Sequence, residues 1–128
     1  KLRAEKSCND IYVMWRLGLE ENGKEQIVVS SKYNPNQSRH DQCGNNGYRN
    51  IVDFEVPAHQ SARYGEMRKL AATVIADKYI GIYIEGVLVH TIVADNELVN
   101  FLRQTKGPVG LRSDNIKSLF KFKAGPAN

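Results

Sequence analysis

Residues 78–93 read KYIGIYIEGVLVHTIV, and this stretch decides the fold class. Every second position is an isoleucine, namely Ile80, Ile82 and Ile84. The positions between them carry Tyr79, Gly81 and Tyr83. A two-residue period is typical of a β-strand with one buried face. Because Glu85-Gly86 favours a turn, Val87–Val93 is predicted to return as the second strand of a hairpin.

Other parts of the chain show the same strand signals. They are Ile11–Leu19, Gln26–Ser30, Asn50–Val56, Met67–Ala76, Val109–Leu111 and Ile116–Ala124. Asn22-Gly23, within Glu21–Lys24, favours a tight turn between the first two of these strands. Many short strands separated by polar turns predict an all-β fold, an antiparallel β-sandwich or barrel.

One short helix is expected near residues 95–103. Asp95 is a favourable N-cap residue, and Leu98, Phe101 and Leu102 share one helical face.

Length and composition limit the classes of protein. The chain has 128 residues, which predicts a single domain over residues 1–128. Apolar residues make up 41% and charged residues 25%, which excludes a disordered tail. No apolar run approaches the ~20 residues of a membrane-spanning helix, so membrane insertion is not expected. The net charge of +4 is too small to indicate a nucleic-acid partner.

Two cysteines and one sequon bear on the cellular compartment. Cys8 and Cys43 could form a disulfide, or they could be two separate buried thiols. Asn36-Gln37-Ser38 is a glycosylation sequon within the polar stretch Ser31–Tyr48, which is predicted to be a long loop. Taken together, these features favour an extracellular, secreted protein with a Cys8–Cys43 disulfide.

The C-terminal half contains two motifs with a family resemblance. Residues 79–89 form the first, and Gly107–Asn115 (GPVGLRSDN) followed by Phe120-Lys121-Phe122 forms the second. Together they resemble the hairpin and closing strand of the concanavalin A-like lectin/glucanase superfamily, which includes laminin-G-like jelly-roll domains. The resemblance implies a jelly-roll β-sandwich. It does not fix the function, because this fold hosts lectins, hydrolases, lyases and adhesion modules.

A second similarity concerns Phe122–Gly125 (FKAG), which resembles the closing strand of jelly-roll alginate lyases. The tyrosine that follows in those lyases is replaced here by Pro126-Ala127-Asn128. The similarity therefore indicates a closing strand and not a lyase.

Polar and aromatic residues opposite the apolar stripes are the candidate ligand-binding residues. They are Tyr12, Arg16, Arg49, Asp53, Tyr79 and Tyr83. Tyrosine rings stack on the apolar faces of sugars, and charged side chains bind hydroxyl groups. Gly81 would leave room for a flat ligand between two tyrosines, and Ser31–Tyr48 would act as a lid over the groove. The alternative is an ordinary solvated sheet face.

Two residues outside this set are predicted to be structural. Trp15 alternates with Ile11 and Val13 and is expected in the core, and His90 is expected to be half-buried.

Catalysis and metal binding have weaker signals. Asp53 and Glu55 lie two positions apart on one strand face, as the two carboxylates of a glycosidase would, but the third acid of the usual pattern is missing. The sequence therefore leans against an enzyme. No cofactor is expected, although Asp95, Asp114 and Asn115 could supply oxygen ligands to calcium.

The favoured function is non-catalytic binding of a carbohydrate or a glycoprotein. A small polysaccharide lyase or glycoside hydrolase is one alternative, and a protein-interaction or adhesion module, such as a secreted effector, is the other.

Overall fold

A computed structural model of the chain describes residues 2–5, 8–17, 24–63, 65–105, 107, 110 and 121–125, with residues 2–5 described by their backbone. Most of the described secondary structure is β. The strands are β1 (Leu2–Glu5), β2 (Asn9–Arg16), β3 (Gln26–Lys32), β4 (Tyr48–Glu55), β5 (Leu70–Ile75), β6 (Tyr79–Ile84) and β7 (Val87–Val93). The α-helices are α1 (His40–Cys43) and α2 (Asn96–Gln104), and a short 3-10 turn spans Ala58–Gln60. The prediction of a mainly β protein with a helix near 95–103 is confirmed.

The described strands form two antiparallel sheets. The first sheet has the order β1-β2-β3-β4, and the second has the order β5-β6-β7. Each hydrogen-bonded neighbour in these sheets is therefore also a neighbour in the sequence. The pairing of β3 with β4 shifts by one residue between Val29 and Ser30. The pairing of β6 with β7 shifts by one residue between Ile82 and Tyr83. Such offsets locally shift which residues face the core.

A shared apolar core lies between the two sheets and α2, in a sandwich-like arrangement. The first sheet contributes Ile11, Ile27 and Val29, and the second contributes Ile80, Ile82, Ile84 and Ile92. Helix α2 adds Leu98, Phe101 and Leu102, and Val56 lies in the same cluster. Burial of large aliphatic side chains is the main favourable term in folding. The predicted isoleucine stripe is confirmed as core.

Two sequence predictions about single residues also hold. Trp15 packs against the core cluster. The His90 ring is half-buried and stacks on Phe54 of the first sheet, with ring centroids 5.1 Å apart. His90 therefore forms part of the contact between the two sheets.

Tight turns connect the strands of the second sheet. Ala76 and Asp77 have φ of 53° and 50°, and Glu85 and Gly86 have φ of 51° and 77°. Two consecutive positive φ values are the signature of the type I′ turn, whose twist matches that of a β-hairpin. The predicted hairpin over residues 78–93 is confirmed.

The disulfide between Cys8 and Cys43 is present, with Cα atoms 6.0 Å apart and both residues buried. It ties the start of β2 to the end of α1. Short helix α1 lies inside the stretch that the sequence predicts to be a loop, and β3 continues to Lys32, two residues into that stretch.

Some predicted elements differ from the structure or lie outside it. A strand over Ile116–Ala124 is wrong for Lys121–Ala124, which are exposed and outside any strand; the rest of that range is not among the described residues. Val109, Leu111 and the predicted Asn22-Gly23 turn also lie outside the described residues, and Gly110, the middle residue of the predicted strand Val109–Leu111, is outside any strand. Strand β1 is an addition that the alternation did not predict.

Candidate functional site

The outward face of the second sheet is the strongest candidate site. Its residues alternate with the core isoleucines and are aligned across the strands by the pairing register. They are Ala71, Thr73 and Ile75 on β5, Tyr79, Gly81 and Tyr83 on β6, and Leu88, Thr91 and Val93 on β7. We call these nine residues the tyrosine face.

Gly81 determines how the Tyr83 ring lies on this face. A Cβ atom added at Gly81 would be 3.1 Å from Tyr83 Cε2, 3.2 Å from Thr73 Oγ1 and 3.4 Å from the Tyr83 hydroxyl oxygen. The Tyr83 ring therefore extends over Gly81 towards Thr73. The predicted empty space above Gly81 is filled by this ring, so Gly81 allows the ring to lie along the sheet.

The tyrosine face is apolar, accessible and without charge. Ile75 is 48% exposed, Leu88 51% and Val93 67%. None of the nine residues is ionisable apart from the two tyrosines. This exposed group of large apolar side chains makes the tyrosine face a candidate site.

Polar atoms on the tyrosine face are hydroxyls. Thr73 Oγ1 is buried and, among the described residues, makes no hydrogen bond. Thr91 is exposed and pairs with Gly81, which pairs with Thr73 on its other side. Lys78, which precedes β6, places its Nζ 6.0 Å from the centre of the Tyr79 ring at one end of the face.

Tyr12 belongs to the other sheet and is not available to a ligand. It is buried, and its hydroxyl donates a hydrogen bond to Asp10 Oδ2 at 3.0 Å. Burial raises the pKa of Tyr12 well above its ordinary value, and the neighbouring Tyr48 and Asp10 raise that pKa further. Tyr48 is the exposed aromatic residue here, with its ring centroid 5.9 Å from that of Tyr12.

Arg49 forms ion pairs with two acidic residues at the start of α2. Its Nη1 donates to Asp95 Oδ2 at 2.6 Å and its Nη2 donates to Asp95 Oδ1 at 3.2 Å. Glu97 Oε2 lies 3.6 Å from the same Nη1. The hydrogen bond to Asp95 raises the pKa of Arg49, and that from Arg49 lowers the pKa of Asp95 to about 2.

Asp53 and Glu55, the predicted catalytic carboxylates, are exposed on the outward face of the first sheet. Asp53 Oδ2 accepts a hydrogen bond from Asn50 Nδ2 at 3.2 Å, and Glu55 Oε2 lies 3.6 Å from Lys24 Nζ. Arg16 is exposed in the same row of residues as Glu55. Both carboxylates therefore have structural partners and neither is enclosed by apolar side chains.

The six predicted ligand-binding residues do not form one groove. Tyr79 and Tyr83 lie on the tyrosine face, whereas Tyr12, Arg16 and Asp53 point to the opposite side of the two-sheet core. Arg49 lies in register with Ser31 and bonds α2. Only the two tyrosines of β6 remain together as a site.

Of the three predicted calcium ligands, only Asp95 is among the described residues. Asp95 forms an ion pair with Arg49. As the N-cap of α2, its Oδ1 also accepts a hydrogen bond from the backbone N–H of Leu98 at 2.9 Å. Asp114 and Asn115 lie outside the described residues. Within the described residues, no three His, Cys, Asp or Glu side chains come together to hold a metal ion.

The loop predicted to be a lid is anchored at the far end of the first sheet. Asn34 Nδ2 donates to the carbonyls of Cys8 and Asn46, and the Asn34 backbone N–H donates to Asn9 Oδ1 at 2.7 Å. Lys32 is buried and its Nζ donates to the Gly44 carbonyl at 2.6 Å. These bonds hold the loop to β2 and β3.

A small open pocket of about 200 Å³ lies between this loop and the end of α2. It is lined by Asn9, Tyr33, Pro35, Asn36, Gln104 and Thr105. The Tyr33 hydroxyl donates to Gln104 Oε1 at 2.7 Å and forms one wall.

Sequence reasoning missed the neighbours that complete the tyrosine face. Thr73 and Ile75 could have been found by extending the alternation of β6 to β5. Leu88 and Val93 could not have been assigned to one face in this way, because the offset at Ile82/Tyr83 breaks the alternation along β7.

Comparison with protein-family profiles, curated proteins and solved structures gave no match. Among the described helices, none is both long and apolar enough to cross a membrane.

Proposed function

We propose that the protein is a non-catalytic, extracellular carbohydrate-binding module that binds an uncharged glycan on the tyrosine face. The observation that carries this proposal is the pair Tyr79 and Tyr83 on one accessible, charge-free sheet face, with the Tyr83 ring lying across Gly81.

The chemistry of this face complements a sugar. Aromatic rings pack against the apolar C–H faces of sugar rings, and hydroxyl groups exchange hydrogen bonds with sugar hydroxyls. The hydroxyls of Thr91 and of the two tyrosines supply the polar atoms, since Thr73 Oγ1 is buried. None of the nine residues is cationic, and Lys78 is a single cation at one end of the face. A glycan rich in uronic acid or sulfate would therefore lose hydration at most of its charges without gaining an ion pair.

The spacing of the tyrosines favours an extended ligand. Tyr79 and Tyr83 are four residues apart on β6, so their Cα atoms are separated by about 13 Å of strand rise. The Tyr83 ring extends over Gly81, midway between these two Cα atoms, so an oligosaccharide lying along β6 would contact both tyrosines.

The finer fold assignment belongs to the same proposal. We propose a jelly-roll sandwich of the concanavalin A-like kind, which is supported by the two sheets around a common core and by the resemblance of the hairpin over residues 79–89. The Cys8–Cys43 disulfide supports an oxidising, extracellular setting.

A glycan array with neutral and acidic oligosaccharides, run with and without a calcium chelator, tests the function. We expect binding to neutral oligosaccharides that the chelator does not change. Tyr79→Ala and Tyr83→Ala should each weaken that binding about tenfold, which corresponds to about 1.4 kcal/mol.

Tyr48→Ala is the matched control, because Tyr48 is an exposed tyrosine in the other sheet. It should bind like the unchanged protein. Binding confined to acidic glycans, or unaffected by both β6 substitutions, would contradict the proposal.

A protein-binding function is the second candidate, and the exposed aliphatic residues of the same face favour it. Leu88 and Val93 present branched side chains that suit an apolar protein surface better than a sugar. Leu88→Ser and Val93→Thr should reduce binding to a protein partner strongly and to a glycan weakly. Binding that persists after enzymatic deglycosylation of the partner would favour this second function.

A further inference from the structure

The sequon Asn36-Gln37-Ser38 takes no part in the proposed binding face, and its position in the fold suggests another role. Among all the asparagines of the chain, Asn36 is the only one in an Asn-X-Ser/Thr pattern. We propose that Asn36 is a site of N-linked glycosylation.

Asn36 lies at the corner of a turn. The Gln37 backbone N–H donates to the Asn34 carbonyl at 3.2 Å, which closes a four-residue turn with Pro35 in its second position. Asn36, in the third position, has φ of 68°. This combination is that of a type II turn, and asparagine adopts such a φ more readily than most residues. The side chain is exposed.

The side-chain amides of two nearby asparagines, unlike that of Asn36, are held by hydrogen bonds. Asn34 Nδ2 is held by two carbonyls, and Asn9 Nδ2 donates to the Gln37 carbonyl at 3.3 Å. The Asn36 amide makes no hydrogen bond with any described residue. A sugar on its Nδ2 would therefore break no internal bond.

The surroundings leave space for the first sugar. Asn36 forms part of the rim of the 200 Å³ pocket, which opens to solvent beside Pro35 and the Tyr33 ring. The Cys8–Cys43 disulfide lies in the same loop region and is typical of the secretory compartments where this modification occurs.

The modification is a group transfer from a lipid-diphosphate-linked oligosaccharide. A bond forms between Asn36 Nδ2 and the anomeric carbon of the sugar, the bond from that carbon to the diphosphate oxygen breaks, and the proton lost by the amide nitrogen is released to solvent. The lipid diphosphate leaves. No oxidant or reductant is consumed.

Secretion of the full chain from eukaryotic cells, behind a cleavable signal, tests the proposal. We expect the secreted protein to lose mass on treatment with peptide N-glycosidase, with Asn36 converted to aspartate in the peptide mass spectrum. Asn36→Gln and Ser38→Ala should abolish the mass loss, and Ser38→Thr should retain it.

Asn45→Gln is the control, since Asn45 is an exposed asparagine of the same loop outside any sequon. It should be glycosylated like the unchanged chain. Secreted protein with an intact disulfide and unmodified Asn36 would overturn the proposal, as would a glycan that persists in Asn36→Gln. Because the tyrosine face is not involved, neither outcome affects the proposed binding function.

Discussion

Arg49 of β4 and Asp95 of α2 form a two-pronged ion pair, with Nη1–Oδ2 and Nη2–Oδ1 distances of 2.6 and 3.2 Å. Asp95 is also the N-cap of α2 through the Leu98 backbone N–H. One carboxylate thus connects the first sheet to the helix and satisfies a free amide at the start of that helix.

This pair makes stability depend on acid pH. The hydrogen bond from Arg49 holds the pKa of Asp95 at about 2, below its value of about 3.9 in an unfolded chain. A lowered folded-state pKa stabilises the protein above about pH 4, and that contribution is lost as the pH falls towards about 2. Urea unfolding between these pH values should show the loss.

Asp95→Asn is the informative variant for this pH effect. It keeps an acceptor for the helix cap and removes the charge, so it should be less stable at neutral pH and lose part of the acid dependence. Asp53→Asn, which removes an exposed carboxylate elsewhere, should retain the full dependence. An equal acid dependence in Asp95→Asn would contradict this assignment.

The Cys8–Cys43 disulfide should contribute strongly to stability. It closes a loop with a sequence separation of 35 residues, for which the chain-entropy relation gives about 3–4 kcal/mol. The variant with both Cys8→Ala and Cys43→Ala should lose about that amount in urea unfolding. Added reductant should destabilise the unchanged protein under unfolding conditions and leave the double variant unaffected. If the double variant is as stable as the unchanged protein, the disulfide has no such role.

Gly81→Ala should alter the tyrosine face without unfolding the sheet. The new Cβ would be 3.1 Å from Tyr83 Cε2, so the half-exposed ring has to move outwards by a few tenths of an ångström. We expect weaker glycan binding with a change in unfolding free energy below about 1 kcal/mol. Gly125→Ala, where a Cβ would meet nothing within 4 Å, should change neither quantity. Unchanged binding in Gly81→Ala would show that the position of the Tyr83 ring does not matter.

Glu25 is a half-buried residue that connects β2 to the segment after the 3-10 turn. Its carboxylate accepts hydrogen bonds from the Trp15 indole N–H, the Ser61 hydroxyl and the Ala62 backbone N–H. Ser61→Ala should cost about 1–3 kcal/mol, because a bond to a charged acceptor is lost. Chemical unfolding followed by Trp15 fluorescence measures it, with Ala58→Ser as a surface control. A Ser61→Ala protein of unchanged stability would mean that the other two donors suffice.

The sequence predicted best the elements whose signal is local. The alternation over residues 79–84, the turn at Glu85-Gly86 and the cap at Asp95 depend on near neighbours in the chain, and all three are present. The core placement of Ile80 follows from the same periodicity.

The candidate site was harder to predict because it depends on how two sheets are placed relative to each other. Alternation identifies an outward face for each strand, but Tyr12 and Tyr83 face opposite sides of one core. The pairing of Arg49 with Asp95 joins residues 46 positions apart, and no local pattern indicates it. Arg49 was therefore predicted to be a ligand contact, although it has a structural partner.

The order of the strands has a consequence for how the chain folds. Each described sheet pairs only consecutive strands, so its backbone ladder needs local loop closures, the longest of them between Lys32 and Tyr48. The entropy cost of closure rises only slowly with loop length. The two sheets meet through side chains, above all the isoleucines of β6 and those of β2 and β3. We expect the hairpin of β6 and β7 to form early and the apolar layer between the sheets to close last, which would place that docking step at the folding barrier.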